Sequence, residues 1–335
     1  MSDTLKVTLE ERLLEEWQRN FPLVPRPFAH MADALGCREN DVIAGLNALR
    51  DRGAISRVGG VVKPNTLGAS TLAAISVPDL QANVVAERLS IEPGINHVYL
   101  RESDWNIWFV VTGPDRAYID AVLARIAQRT GLRVLDLRLE RPFHIDLGFT
   151  LSADPRRPVR HDSLRQSQSP SYTPASGDRE LVQILTTGLP LVPQPFQAVA
   201  DLLSRTEDDV IARLSELVRI GIVPRIGVIV RHRALGWRSN AMVVWDVPEA
   251  GIERAGLALA ATPGINLCYR RTRYENAWPY NLYCMVHAKS RDDALTTLNI
   301  ASAAAGLGAL PRQILFSLRC YKQTGAMLSL PKEAA

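Results

Sequence analysis

Apolar residues recur at helical spacing near the start of the chain: Leu9, Leu13, Leu14 and Trp17, then Phe28, Met31, Ala32 and Leu35, then Val42, Ile43, Leu46 and Leu49. Each group puts one apolar stripe on a 3.6-residue period, so three short helices are expected. The third should stop at Gly53, a residue type that closes helices in the left-handed conformation. "AISRVGGVV" follows and reads as a β-wing. Three helices and a wing predict a winged helix-turn-helix. Beyond it the period shortens to two. "TLAAISVP", "HVYLRES", "IWFVVTG" and "VLDLRLE" read as strands, with helices at 80–91 and 115–129. The order β-α-β-β-α-β predicts a ferredoxin-like domain.

The whole pattern occurs twice. "PLVPRPFAHMADALGCRENDVIAGLNALRDRGAISRVGGVV" at 22–62 matches "PLVPQPFQAVADLLSRTEDDVIARLSELVRIGIVPRIGVIV" at 190–230, a constant offset of 168. "PGINHVYLR" at 93–101 matches "PGINLCYRR" at 263–271, now at offset 170. "DWNIWFVV" then matches "PYNLYCMV" after a five-residue insertion. The expected fold class is therefore α+β: two tandem copies of a winged helix-turn-helix plus a ferredoxin-like domain, paired as an intramolecular pseudo-dimer. The domains fall at 5–64, 66–151, 178–235 and 237–328. Residues 152–177 are rich in Pro, Ser and Arg and read as a solvated linker.

Composition narrows the class. The 335 residues are 47% apolar and 22% charged, as in globular chains that bury more than one core. No apolar run is long enough to span a bilayer, and the N-terminal stretch lacks a signal core. Cys37, Cys268, Cys284 and Cys320 are scattered without a C-x-x-C pair, which points to a reducing cytoplasm and away from disulfides or structural zinc. A net charge of +4 permits an anionic partner without naming one. The winged helix suggests DNA, but its third helices open with Cys37-Arg38-Glu39-Asn40-Asp41 and Thr206-Glu207-Asp208-Asp209. Carboxylates there would meet phosphates and are better read as helix caps, so no nucleic-acid partner is expected.

Cationic and aromatic residues gather in two other places. One is the wing and its exit in each half: Arg57 and Lys63, then Arg225, Arg231, His232, Arg233 and Trp237, with Arg231, His232 and Arg233 consecutive. The other is the strand pair of each ferredoxin-like sheet. Alternation puts His97, Tyr99 and Arg101 on one face, and Tyr269 and Arg271 on the matching face with Leu267 in the histidine's place. Trp278 and Tyr274 lie in the inserted turn. Guanidinium forks hold carboxylates and aromatic rings wall a flat ligand, so the set suggests a planar polyanion with several carboxylates. Trp108 reads as core, His287 as a surface histidine, and His144 and Lys322 as a charged rim at matching strand exits.

The architecture of each half resembles the Lrp/AsnC regulators. "RIGVIVRHRALGW", "CYRR" and above all "WPYNLYCMVH" resemble the siroheme decarboxylases built on that architecture, and the likeness covers both halves. The first half is closer to one subunit type of that family and the second to another, as in a natural fusion. The resemblance implies conversion of siroheme to 12,18-didecarboxysiroheme by loss of carbon dioxide from two acetates, in haem d1 or alternative haem biosynthesis. It implies no added cofactor and no metal held by the protein itself; the substrate brings iron, for which His97 or His232 is a candidate ligand. His97, His232, Tyr99 and Tyr269 would serve proton transfer, and Arg231, Arg233, Arg101, Arg271, Trp278 and Tyr274 would hold substrate. Leu267 departs from the family pattern, so two equivalent crevices are not expected; one degenerate crevice and one composite site both stay open. The alternative is an Lrp/AsnC-type regulator that senses haem or siroheme. A homo-oligomer above the pseudo-dimer is also open.

Overall fold

The computed structural model describes residues 7–145, 173–274 and 276–330; most of the expected linker, 152–172, lies outside them. In the first copy the order is α1 (Leu9–Glu16), α2 (Pro27–Leu35), α3 (Glu39–Asp51), β1 (Ile55–Val61), β2 (Ala69–Ile75), α4 (Asp79–Ser90), β3 (Ile95–Arg101), β4 (Ile107–Gly113), α5 (Arg116–Thr130), β5 (Val134–Leu137) and β6 (Leu139–Ile145). The second copy repeats it as α6 (Asp178–Thr187), α7 (Pro195–Leu203), α8 (Glu207–Arg219), β7 (Arg225–Val230), a 3-10 turn at His232–Leu235, β8 (Ser239–Trp245), α9 (Glu249–Ala260), β9 (Ile265–Arg271), β10 (Leu282–Ala288), α10 (Arg291–Ala304) and β11 (Arg312–Gln323). No described helix is long and apolar enough to cross a membrane. The chain sorts into two compact units, one holding both winged-helix copies and the other both ferredoxin-like copies.

In the winged-helix unit the expected helices are present, and Gly53 takes φ 75° just after α3. Phe28, Met31, Val42, Leu46 and Leu49 are fully buried, as the apolar stripe required, whereas Ile43 stays half-buried. The wing differs from expectation. β1 pairs with β7 of the other copy, antiparallel, with Gly59 opposite Gly227. The first helix of each copy comes close to the wing strand of the other. A Cβ at Gly227 would stand 2.3 Å from the carbonyl oxygen of Gln18, and one at Gly59 would stand 2.4 Å from that of Leu185. Val228 N–H donates to Trp17 O at 2.7 Å and Leu189 N–H to Val58 O at 2.8 Å, so the glycines let a helix end add backbone bonds to each wing strand.

The starts of α3 and α8 show what their acids do. Asp41 accepts from the Arg38 backbone at 3.1 Å and from its guanidinium at 2.9 and 3.0 Å, and Glu39 accepts from Arg26. At α8, Thr206 caps Asp209 N–H at 3.2 Å while Arg205 donates to Asp209 at 2.8 Å. Cations that would reach phosphates are already paired with carboxylates.

In the ferredoxin-like unit, nine described strands hydrogen-bond in the order β5-β2-β4-β3-β11-β8-β10-β9-β6. Each copy keeps its own four strands together, and its last strand then crosses to the other copy. β11 pairs with β8 up to Phe316 and with β3 from Ser317 onward. The stretch expected as one strand, 134–140, breaks at Arg138: β5 pairs with β2, and β6 continues onto β9. His144 and Lys322, expected at strand exits, therefore lie inside crossed strands, opposite Cys268 and Val98.

Helices α4 and α5 cover one face of the first copy's strands over Val98, Phe109 and Val111, and α9 and α10 cover the second copy's over Cys268, Cys284 and Trp245. On the opposite face, Ala74, Trp108, Leu135 and Leu137 of the first copy pack with Met242, Val244, Tyr283 and Leu315 of the second. This shared core holds the copies together as a pseudo-dimer within one chain.

Candidate functional site

Strand alternation sets the site in the ferredoxin-like unit. On β3 the rings of His97 and Tyr99 stack with centroids 6.2 Å apart at 22°, and the Arg101 guanidinium lies 5.3 Å from the Tyr99 centroid. The three share the face opposite Val98, which is buried under the helices. His97 and Tyr99 are half-buried. Tyr99 stands opposite Trp108 on one side and Cys320 on the other, and His97 opposite Gln323. An imidazole and a phenol are thus presented in one row.

The matching row on β9 is similar in form and different in chemistry. Arg271 lies 5.2 Å from the Tyr269 centroid, and Cys268 faces the helices, as the alternation required. Leu267 stands where His97 does in the first copy, flanked by Met285 and Ile145. Burial pushes the Tyr269 phenol up to about 12, opposed by the charge of Arg271 and reinforced by Cys268. Tyr269 is a protonated hydrogen-bond donor throughout the neutral range. Burial lowers the Arg271 guanidinium from its ordinary value.

Several assignments need correction. Arg101 is 4% exposed and donates from Nη1 to Leu315 O at 3.0 Å and to Asn240 Oδ1 at 3.3 Å, so it holds the crossed strand and does not offer an open grip for a carboxylate. Arg271 likewise donates from Nη1 to Leu137 O at 2.9 Å, although it remains half-buried. Trp278 is 1% exposed, donates from Nε1 to Tyr283 Oη at 2.7 Å, and meets Trp108 edge-on at 5.1 Å. It is core and cannot wall a ligand. Tyr274 is half-buried, and its ring carries the protein's own Arg133 at 4.8 Å.

The structure adds a polar chain that the sequence did not suggest. Asn240, 3% exposed, accepts from Arg101 with Oδ1 and sits 2.7 Å from His287 Nε2 with Nδ2. His287 Nδ1 lies 3.0 Å from Asn266 Oδ1. An amide NH2 donating to Nε2 and a carbonyl accepting from Nδ1 assign a neutral imidazole with its proton on Nδ1. His287 is half-buried, not the surface histidine expected. Asn266 has a counterpart in Asn96, but positions 70 and 112, which match Asn240 and His287, are Ser and Thr. Comparing the two copies position by position was the only signal for this chain.

In the winged-helix unit, His232 opens the 3-10 turn after β7 and is 5% exposed. Burial, and then the neighbouring charge of Arg233, pushes its pKa down to about 4, so the ring is neutral at neutral pH. Arg231 is exposed, and its N–H holds the turn to Ala54 O at 2.8 Å. Arg233 is half-buried; its Nη1 is closed off from solvent and has no acceptor among the described residues. A neutral imidazole is the ligating form and guanidiniums hold carboxylates, although His232 Nε2 is itself closed off from solvent.

Comparison with known proteins gives a consistent result. A model of the AsnC-like ligand binding domain matches residues 66–144 and again 234–322. A model of the siroheme decarboxylase NirDL-like HTH domain matches 10–55 and 178–223. The siroheme decarboxylase NirDL subunit of Paracoccus denitrificans is 50% identical over 321 residues, spanning 96% of this chain and 97% of its own. The crystal structure of the siroheme decarboxylase NirDL superposes with a TM-score of 0.68 at 26% identity, covering 97% of this chain and 95% of the other. The structure of NirDL in co-complex with an iron-uroporphyrin III analogue gives 0.64 at 26% identity, covering 92% and 90%.

Proposed function

The chain belongs to the siroheme decarboxylase family, and on that premise we propose that it removes carbon dioxide from two acetate side chains of siroheme, giving 12,18-didecarboxysiroheme for haem d1 biosynthesis. The observation that carries the reading is the 50% identity to a siroheme decarboxylase subunit over almost the whole of both chains. An iron-uroporphyrin III analogue is also what the similar solved structure of NirDL holds in co-complex.

Decarboxylation breaks the bond between an acetate methylene and its carboxylate carbon. The electron pair stays on the methylene side, delocalised into the ring, and one proton then completes a methyl group. No electrons are gained or lost overall. The protein's tasks are to supply that proton and to hold the remaining carboxylates without neutralising the one that leaves. His97 takes the proton-transfer role, because it is the imidazole of the β3 row and its ring is fixed against Tyr99. Tyr269 donates a hydrogen bond as a protonated phenol, and Tyr99 assists from the row it shares with His97. Arg233, with a donor nitrogen lacking an acceptor among the described residues, and Arg231 beside it hold carboxylates. His232 suits the substrate iron, because the burial that depresses its pKa keeps it in the ligating, neutral form.

The test is turnover of siroheme by His97→Ala and His232→Ala proteins, with binding of the tetrapyrrole followed by its absorption spectrum. His97→Ala should bind siroheme and lose about 100-fold or more in rate, the usual worth of a positioned acid or base. His232→Ala should alter the spectrum of bound siroheme. Wild-type turnover and spectra in both variants would remove the residue assignments while leaving the family membership untouched.

A further inference from the structure

In the winged-helix unit, β1 and the end of α6 enclose a cavity of about 120 Å³. Arg50, Ser56, Arg57 and Thr187 bring its polar groups, Leu189 and Leu191 its apolar wall, and no carboxylate of the described residues lines it. Arg57 lies in a bed made by two glycines. A Cβ at Gly188, where φ is 131°, would stand 3.0 Å from the Arg57 Cβ, and one at Gly59 would stand 3.4 Å from its Cδ and Nε. Arg57 Nε is closed off from solvent with no acceptor among the described residues, and its guanidinium makes a long contact of 3.4 Å to Ser56 Oγ. Burial lowers its pKa to about 10, which still leaves it charged at neutral pH. A half-buried cation with no counter-charge among the described residues is costly, and the cost is relieved by an anion.

The duplication supplies an independent control. At the offset of 168, Arg50 corresponds to Val218, Ser56 to Pro224 and Thr187 to Arg19, while Arg57 is matched by Arg225. The second copy therefore keeps the strand arginine and folds without polar groups at the positions of Arg50 and Ser56. Arg50 and Ser56, which the fold does without in the second copy, are free to serve a ligand beside Arg57 in the first.

We propose that this cavity is an oxyanion site, in which the Arg57 fork, helped by Arg50, takes a phosphate or carboxylate group. The cavity admits a single such group and not a macrocycle. The group's source is either a free anion or one carboxylate of the tetrapyrrole, and the proposal does not depend on the catalytic roles above.

The test uses the full-length protein titrated with inorganic phosphate and with acetate, followed by thermal unfolding and calorimetry, alongside siroheme binding. Phosphate or acetate should raise the unfolding temperature saturably, and Arg57→Met should weaken the apparent affinity by about tenfold or more, the worth of one charge-assisted bond. Arg50→Met, at an exposed helix end, repeats the test should Arg57→Met fail to fold. Loss of the phosphate response with siroheme affinity unchanged identifies a free anion. A tenfold loss of siroheme affinity, with phosphate competing in the wild type, identifies a substrate carboxylate. No saturable response to either anion, together with unchanged siroheme affinity in both variants, overturns the proposal.

Discussion

Arg101 donates from Nη1 to the Leu315 carbonyl at 3.0 Å, and Arg271 makes the equivalent bond to the Leu137 carbonyl at 2.9 Å. Each arginine ends the second strand of one copy and fastens the other copy's chain, at Leu315 of β11 or at Leu137 closing β5, just before that chain crosses over. The duplication has thus kept an arginine twice for the same structural task. Arg101→Met leaves the Leu315 carbonyl and Asn240 without their donor and should cost about 3 kcal/mol of stability. Urea denaturation should show that loss, while siroheme affinity stays within about threefold, below the tenfold expected from one lost charge-assisted bond. A large loss of affinity at unchanged stability would restore Arg101 as a carboxylate grip.

Trp278 and Trp108 meet edge-on at 5.1 Å in the core shared by both copies. Trp278→Ala should destabilise the protein by about 3–5 kcal/mol through the cavity it leaves. Trp278→Phe should cost less and leave siroheme affinity as it is. A Phe variant that is stable yet binds siroheme poorly would contradict the placement of Trp278 in the core.

His232 carries a pH signature. Its folded pKa of about 4 lies below the ordinary value of 6.5, so the unfolded chain takes up a proton first as the pH falls. Above 6.5 the residue adds no pH dependence. Between 6.5 and 4 it withdraws stability progressively, up to about 3 kcal/mol. His232→Gln should remove that component, so the difference in unfolding free energy between variant and wild type should change between pH 7 and pH 4.5. A constant difference across that range would mean that His232 is not held neutral.

Duplex DNA should not bind. Arg38 is committed to Asp41, Arg26 to Glu39 and Arg205 to Asp209 at the helix starts that would face phosphates. Titration of labelled duplex at low salt should give no saturable binding. Binding with a steep dependence on salt concentration would overturn the expectation.

Much of the fold was legible because two periodicities and one repeat carry it. The 3.6-residue stripes found α1 to α3, and alternation placed β4 at 107–113 and set Tyr99 and Arg101 on the face opposite Val98. What stayed hidden is partnership between copies. Nothing local in "AISRVGGVV" says that Gly59 will face Gly227 and not a hairpin mate, and nothing in "VLDLRLE" says that the strand will break at Arg138 and change partners. The site suffered from the same gap. Arginine and tryptophan in a strand and its turn read as ligand contacts until the crossed strand and the facing core were in place, whereas His97 and Tyr99 depend only on alternation and kept their shared face.

The central claim is tested most directly by incubating the protein anaerobically with siroheme and weighing the tetrapyrrole afterwards by mass spectrometry. Loss of two carbon dioxide units, with no redox change, is the predicted result. Siroheme that stays bound and unchanged in mass would contradict the account and point to a sensor built on the same fold.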